Sequence, residues 1–252
     1  MICLVRACKS SYEWIIPLLY RSVTLWHAEQ ISKFYTRHNV QQKPHANFRY
    51  IEHLWVGSTP FHRGDLSYGS SCWPLTILDR IFNACSKLQS LYIIDLDQNQ
   101  WHRLQDAVPA GVETLAMGPV HGPLRIHQMK HKPLIRHFTS AETYMRDAEI
   151  QDLVLSPHLQ TFRQLLVPRE RQDQEQGWYL DQTACVPKSS TLKEMLLVFC
   201  AAQSPQWLKQ EEARLRIFTE DPRVVLSLSQ YSDWKKLLFS EFLAEAEAQL
   251  GE

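Results

Sequence analysis

Apolar residues along this chain come in short β-prone bursts, and one burst recurs. An apolar-x-x-apolar core appears as IEHLWV from Ile51, LQSLYI from Leu88, VETLAM from Val112, IRHFTS from Ile135, LQTFRQ from Leu159 and LKEMLL from Leu192. Three of the five intervals between these starts are 23 or 24 residues, a period used by stacked repeat units. The longer intervals hold insertions. GSTPFHRGDLSYGSSCWP, Gly57–Pro74, is rich in Gly, Ser and Pro and reads as a loop, and PRERQDQEQG, from Pro168, reads as a solvated charged run.

Helical patterning fills the space between most of the bursts. In PLTILDRIFNACSK, Pro74 opens a helix whose Leu75, Leu78, Ile81, Phe82 and Cys85 share one face. NQWHRLQDAV aligns Trp101, Leu104 and Val108 in the same way, and RDAEIQDLVLSPHL forms a third unit. HGPLRIHQMKHKP carries two prolines in a short span, which argues against a regular helix there. Each unit is too small to bury its own apolar side, so the units are expected to stack into a shared core. The fold class expected is α/β, an irregular leucine-rich-repeat-like solenoid. The pattern is degenerate: its third apolar position is Val56, Ile93, Met117 and Leu197 in four units but Ser140 and Gln164 in the other two, whose strands are less well specified.

Beyond Leu197, ARLRIFTEDPRVVL reads as a last strand, a turn at Asp221-Pro222 and a further short strand. SDWKKLLFSEFLAEAEAQL is an amphipathic helix with Trp234, Leu237, Leu238, Phe242 and Leu243 as its apolar stripe. A polar-backed helix in this place suits a terminal cap over the last repeat.

Composition narrows the function classes. With 44% hydrophobic residues in 252, the chain can build a sizeable core. Lys+Arg and Asp+Glu both number 27, which gives no electrostatic reason to bind nucleic acid or an anionic membrane. No apolar run reaches transmembrane length, and Arg6 and Lys9 break the N-terminal apolar stretch, so no signal peptide is expected. The six cysteines lie in or beside apolar runs without C-x-x-C spacing, which fits reduced thiols in the cytoplasm or nucleus.

The opening LVRACKSSYEWIIPLLYRSVTL, Leu4–Leu25, resembles the C-terminal half of an F-box domain of fungal F-box proteins. Cys8, Lys9, Ser10, Tyr12, Pro17, Leu18, Leu19 and Tyr20 carry the likeness, and DPRVV, Asp221–Val225, resembles the tail of those proteins. Two departures stand against it. Ser11 occupies a position where the family has tryptophan, and the first F-box helix with its Leu-Pro is not in the sequence. The resemblance implies a partial F-box segment over residues 1–25, irregular repeats over 26–220, and a C-terminal strand and capping helix over 221–252. It implies a substrate receptor of a cullin-type ubiquitin ligase, with Leu4, Cys8, Tyr12, Pro17, Leu18 and Leu19 meeting a Skp-type adaptor and the repeats holding a protein substrate. The competing expectation is a repeat scaffold, or a degenerate paralogue, without ligase docking.

Catalytic constellations are sparse. GSSCW, Gly69–Trp73, resembles the papain-type signature, but Gly and Cys are one residue too far apart and the leading cysteine is missing. A cysteine hydrolase using Cys72 is therefore a distant third reading. His127 and His131 stand four apart without the glutamate of H-E-x-x-H, and no zinc site or other cofactor is expected. Neither G-x-S-x-G nor a phosphate-cradling glycine loop occurs, and there are only eight glycines.

A recognition surface is expected on the outward residues of the strands, those flanking the second apolar position. These are His53 and Trp55, Ser90 and Tyr92, Thr114 and Ala116, His137 and Thr139, Thr161 and Arg163, and Glu194 and Leu196. Trp55, Tyr92, His137, Arg163 and Glu194 are the candidate contacts, because Trp, Tyr and Arg combine large area with a polar handle. The competing expectation is that the Gly57–Pro74 insertion covers Trp55 and Tyr92.

Overall fold

A computed structural model of the chain describes residues 9–39, 47–167, 182–200 and 205–248. Its frame is one eight-stranded sheet whose strands lie in sequence order and are all parallel. The strands are β1 (Ser22–Leu25), β2 (His53–Val56), β3 (Ser90–Ile94), β4 (Thr114–Gly118), β5 (His137–Ala141), β6 (Thr161–Leu166), β7 (Glu194–Phe199) and β8 (Val224–Leu228). The fold is therefore α/β, and the six recurring bursts are its six central strands. Their register is the one the repeat implies: His53, Ser90, Thr114, His137, Thr161 and Glu194 align as one row across the sheet.

Successive side chains on a strand point to opposite faces, so two cores result. The first face carries Leu54, Leu91, Leu115, Phe138, Phe162 and Met195, with Val56, Ile93, Met117 and Leu197 in the next row. Onto it pack α2 (Ala28–Asn39) through Ile31, α3 (Leu75–Ala84) through Leu75, Leu78, Ile81 and Phe82, and α4 (Asp147–Val154) through Ile150, Leu153 and Val154. Trp101, Leu104 and Val108 join the same core from two 3-10 turns instead of the expected α-helix. The proline-flanked HGPLRIHQMKHKP segment holds only one 3-10 turn, Ile126–Gln128, as its prolines suggest. Phe138 and Phe162 stack with ring centroids 5.9 Å apart, continuing one aromatic row between neighbouring strands.

Ser140 and Gln164 occupy the inward row, and their strands still pair in continuous register with both neighbours. Ser140 Oγ meets His121 Nε2 at 2.8 Å and is buried with it. Gln164 is buried on the same face, and β6 keeps six residues around it.

Three local expectations are corrected. A proline in a helical run is expected to close it at the residue before, yet α1 runs Lys9–Arg21 with Pro17 inside it. Tyr20 then packs on Phe34 and His38 of α2, and Arg21 Nε donates to Glu52 at 2.8 Å, contacts that hold the last turn despite the backbone donor lost at Pro17. ARLRIF is not a strand but the end of α5 (Pro205–Phe218), where Glu, Ala, Arg and Leu favour a helix. β8 is thus the strand that follows the Asp221-Pro222 turn, and Arg223 fastens that turn with paired contacts to Asp221 at 2.7 and 2.9 Å. Finally, α6 (Trp234–Ala248) does not close the end of the stack. It turns back and crosses the second face of the sheet as far as β2. The charged run from Pro168 lies outside the described residues.

Candidate functional site

The second face carries the row Trp55, Tyr92, Ala116, Thr139, Arg163 and Leu196, and beyond it Ile94, Ala141, Leu165 and Val198. Every outward residue named from the repeat projects here, yet the surface is not open. Trp234, Leu238 and Phe242 of α6 fill it, each four residues from the next on one helix side, and Leu237 and Phe239 flank them. Leu243, assigned to the apolar stripe from sequence, is exposed.

At the β2–β3 end an aromatic nest forms. Trp55 and Tyr92 stack with centroids 5.4 Å apart, and Phe242 meets Tyr92 edge-on at 5.4 Å and Trp55 at 5.7 Å. Phe239 lies perpendicular to Trp55 at 5.0 Å. Trp55 is 0% exposed and Tyr92 2%. The Gly57–Pro74 insertion has a smaller part than expected: Ser58 accepts the Trp55 indole N–H through its carbonyl at 3.1 Å, and Phe61 touches Phe239. The main cover is α6.

Polar contacts pin the helix at four places. Lys235 Nζ sits 2.8 and 2.9 Å from the two carboxylate oxygens of Asp95 and donates to Ser58 Oγ at 2.9 Å; the same Ser58 hydroxyl also donates to Asp95. Trp234 Nε1 donates to Glu142 Oε2 at 2.7 Å. Arg163 forms a two-pronged bond with Glu241, Nη1 to Oε1 at 2.7 Å and Nη2 to Oε2 at 2.5 Å, while its Nε reaches Thr139. Glu245 accepts from Tyr92 Oη at 3.1 Å and lies 3.6 Å from His53 Nδ1. Burial pushes the Glu245 carboxyl up, but contacts from His53, Ser90 and Tyr92 outweigh it and hold the group below the usual carboxylate range. Burial and Glu245 together push the Tyr92 hydroxyl up, so it remains a donor.

The remaining predicted contacts lie apart from this nest. His137 is exposed at the first position of β5, its imidazole pKa lowered chiefly by partial burial. Glu194 is half-buried at the first position of β7. Repeat reasoning located the sheet face but missed its polar partners Asp95 and Glu142, which lie just past their strands with φ values of 67° and 43°. The signal present in the sequence was Trp234 and Lys235 at the start of the α6 stripe, whose indole N–H and ammonium reach Glu142 and Asp95.

On α1, Ile16 faces inward and is buried, while Trp14 is 80% exposed and Leu18 51%. Leu19 is exposed and Pro17 partly so. Leu4 and Cys8 lie outside the described residues, and Tyr12 is placed on the α1 backbone. Cys72 is an exposed free thiol on the insertion loop, its backbone N–H bonded to Ser70 Oγ. Ser58, Lys235 and Asp95 place a hydroxyl beside an amine, but the carboxylate clamps the amine with both oxygens, so it serves as an ion-pair partner. Among the described residues no three His, Cys, Asp or Glu side chains converge as a metal site requires, and no helix is long and apolar enough to cross a membrane.

Compared with family models, with curated proteins and with solved structures, the chain shows no significant match in any of the three.

Proposed function

We propose that this protein is a non-enzymatic protein-recognition module, a substrate receptor of a cullin-type ubiquitin ligase in which α1 docks a Skp-type adaptor and the leucine-rich-repeat-like sheet carries the substrate-binding surface. The observation that carries the reading is the exposed apolar ridge of α1. Trp14 and Leu18 stand one helical turn apart with their side chains in solvent, while Ile16 and Tyr20 secure the opposite side to the body. An exposed tryptophan on an anchored helix is a ready interface anchor. The F-box resemblance of the same segment names the partner class.

The test is capture of the purified Skp-type adaptor by the full chain and by its Trp14→Ala/Leu18→Ala variant. Binding by the full chain that falls at least ~10-fold in the variant supports the reading, since two interface anchors commonly supply that much. A second version, extended upstream by in-frame codons, separates loss of docking from a missing first helix. Absence of capture by both versions rejects the ligase role. The second reading, a repeat scaffold without ligase docking, is favoured by one observation: the sheet face that would hold a substrate is already occupied by α6.

A further inference from the structure

We propose that α6 is a displaceable internal ligand of the second sheet face, and that the partner fitting this face is an acidic amphipathic helix with the same recognition pattern. The inference rests on the reading of that face as a recognition surface.

Three observations separate α6 from the permanent core. First, the sheet is complete without it: all eight strands pair with one another, and a short segment, Ser229–Asp233, joins α6 to β8. Tyr231 N–H donates to Ser229 Oγ, and Lys235 N–H donates to Asp233 Oδ1, which caps the helix. Second, the face beneath it has the composition of an interface. Beside Ile94, Ala116, Ala141, Leu165 and Val198 it presents Trp55, Tyr92 and Arg163, residue types that anchor partners, whereas the strand residues of the first face are apolar except for Ser140 and Gln164. Third, the fit is incomplete. Both ring nitrogens of His53 are buried without a hydrogen-bond partner, and the nearest carboxylate oxygen, on Glu245, stays 3.6 Å away. A buried donor left unsatisfied costs free energy, so a partner carboxylate set slightly closer to His53 would gain a bond that the internal one lacks.

The face reads three features of α6. The aromatic nest takes Phe242, with Leu238 and Trp234 following at four-residue steps along the sheet. Arg163 takes the carboxylate one residue before the phenylalanine, and Tyr92 with His53 takes the carboxylate three residues after it. A partner helix therefore needs an aromatic residue flanked by acids at −1 and +3 and apolar residues at −4 and −8. This is helix-in-groove recognition with the groove held closed in cis. Because α6 is tethered, its effective concentration is roughly millimolar, and a free helix must match it or arrive when it is weakened.

The test uses the full chain and a fluorescently labelled peptide with the sequence SDWKKLLFSEFLAEAEA, Ser232–Ala248. Wild-type protein is expected to capture this peptide weakly. Glu241→Ala/Glu245→Ala weakens the internal helix but leaves the sheet side intact, so capture is expected to tighten at least ~10-fold as the open fraction rises. Adding Arg163→Glu should abolish the gain, and a peptide carrying Glu241→Lys should restore part of it. Equal capture by wild type and the double variant, or a gain indifferent to Arg163→Glu, overturns the proposal. Hydrogen exchange on the wild-type chain decides the matter even if the double variant does not fold. α6 amides that open while β2–β7 stay protected support displacement, and α6 amides that exchange only with global unfolding refute it. Adaptor capture reads α1 and not α6, so its failure counts against the ligase role alone.

Discussion

Arg163 on β6 and Glu241 on α6, 78 residues apart in sequence, face each other as planar forks joined by two parallel hydrogen bonds. Both side chains are partly shielded, the guanidinium more than the carboxylate. Burial disfavours the Arg163 charge, yet Glu241 more than compensates and holds its pKa above the ordinary value. Two-pronged geometry makes this pair stronger than a surface ion pair. Arg163→Ala should therefore lower stability by about 1–3 kcal/mol, and a double-mutant cycle with Glu241→Ala should return a coupling of about 1 kcal/mol or more in urea unfolding. Additive single effects would show that the fork contributes nothing.

Phe242 is the apolar counterpart of that fork. Truncating a buried phenylalanine costs about 3–5 kcal/mol where the whole structure must absorb the loss. Here α6 has an alternative: it leaves the sheet as a unit. For Phe242→Ala the global loss is therefore expected to level off below that range, while exchange protection of α6 amides falls further than that of the strands. Equal loss of protection everywhere would mean that helix and sheet unfold together.

Gly57 ends β2 under the aromatic nest with φ +110°, a conformation that L side chains rarely adopt. Its N–H donates to the Leu25 carbonyl at 2.9 Å, and an added Cβ would lie 1.8 Å from the Ile94 carbonyl oxygen. Gly57→Ala must then push β2 away from β3 or break the turn that delivers Ser58 to Trp55 and Asp95. A loss of about 2 kcal/mol or more is expected, well beyond the ordinary effect of removing a glycine's freedom. A thermal scan of the variant measures it.

Much of the fold was legible because the repeat is a physical constraint. Parallel strands stacked in sequence order must present the same row at the same register, and the six bursts fixed that row from His53 to Glu194. Ser140 and Gln164 did not interrupt it, because a strand in mid-sheet takes its backbone bonds from both neighbours whatever its side chains. ARLRIF was misread because a short apolar run carries no period that separates strand from helix. The cover over Trp55 and Tyr92 was illegible for a different reason. An amphipathic helix announces that it will bury a stripe, not which surface it will bury it on, and here its long-range hydrogen-bond partners are 78 to 177 residues away.

The thiols give a test of burial that needs no substitution. Burial pushes the Cys85 thiol up to about 12 and Cys200 up to about 11, so neither supplies thiolate at neutral pH. Cys72 is exposed on the Gly57–Pro74 loop. Alkylation of the native protein at pH 7.5, mapped by mass spectrometry, should mark Cys72 within minutes and spare Cys85 and Cys200 until denaturant is added. Labelling of Cys200 in the native state would show that the α6-covered face opens frequently.

His121 ties stability to pH. Its Nδ1 lies 2.7 Å from the Gly122 carbonyl, which only accepts, so Nδ1 carries the hydrogen and Nε2 accepts from Ser140 Oγ. The ring packs edge-on against Phe138. Burial lowers its pKa from 6.5 to about 4, only partly offset by the Gly122 contact. Above pH 6.5 the imidazole is neutral in both folded and unfolded chains and contributes no pH dependence. Below that, the unfolded chain takes up a proton that the folded one refuses, so stability falls as pH drops through the window from 6.5 to about 4. The slope approaches ~1.4 kcal/mol per pH unit, with a total of at most ~3.5 kcal/mol. Urea unfolding at closely spaced pH values should show this slope in the wild type. His121→Gln, which keeps a donor and an acceptor but cannot titrate, should flatten it by that amount whatever its absolute stability. An unchanged slope would place the acid sensitivity elsewhere.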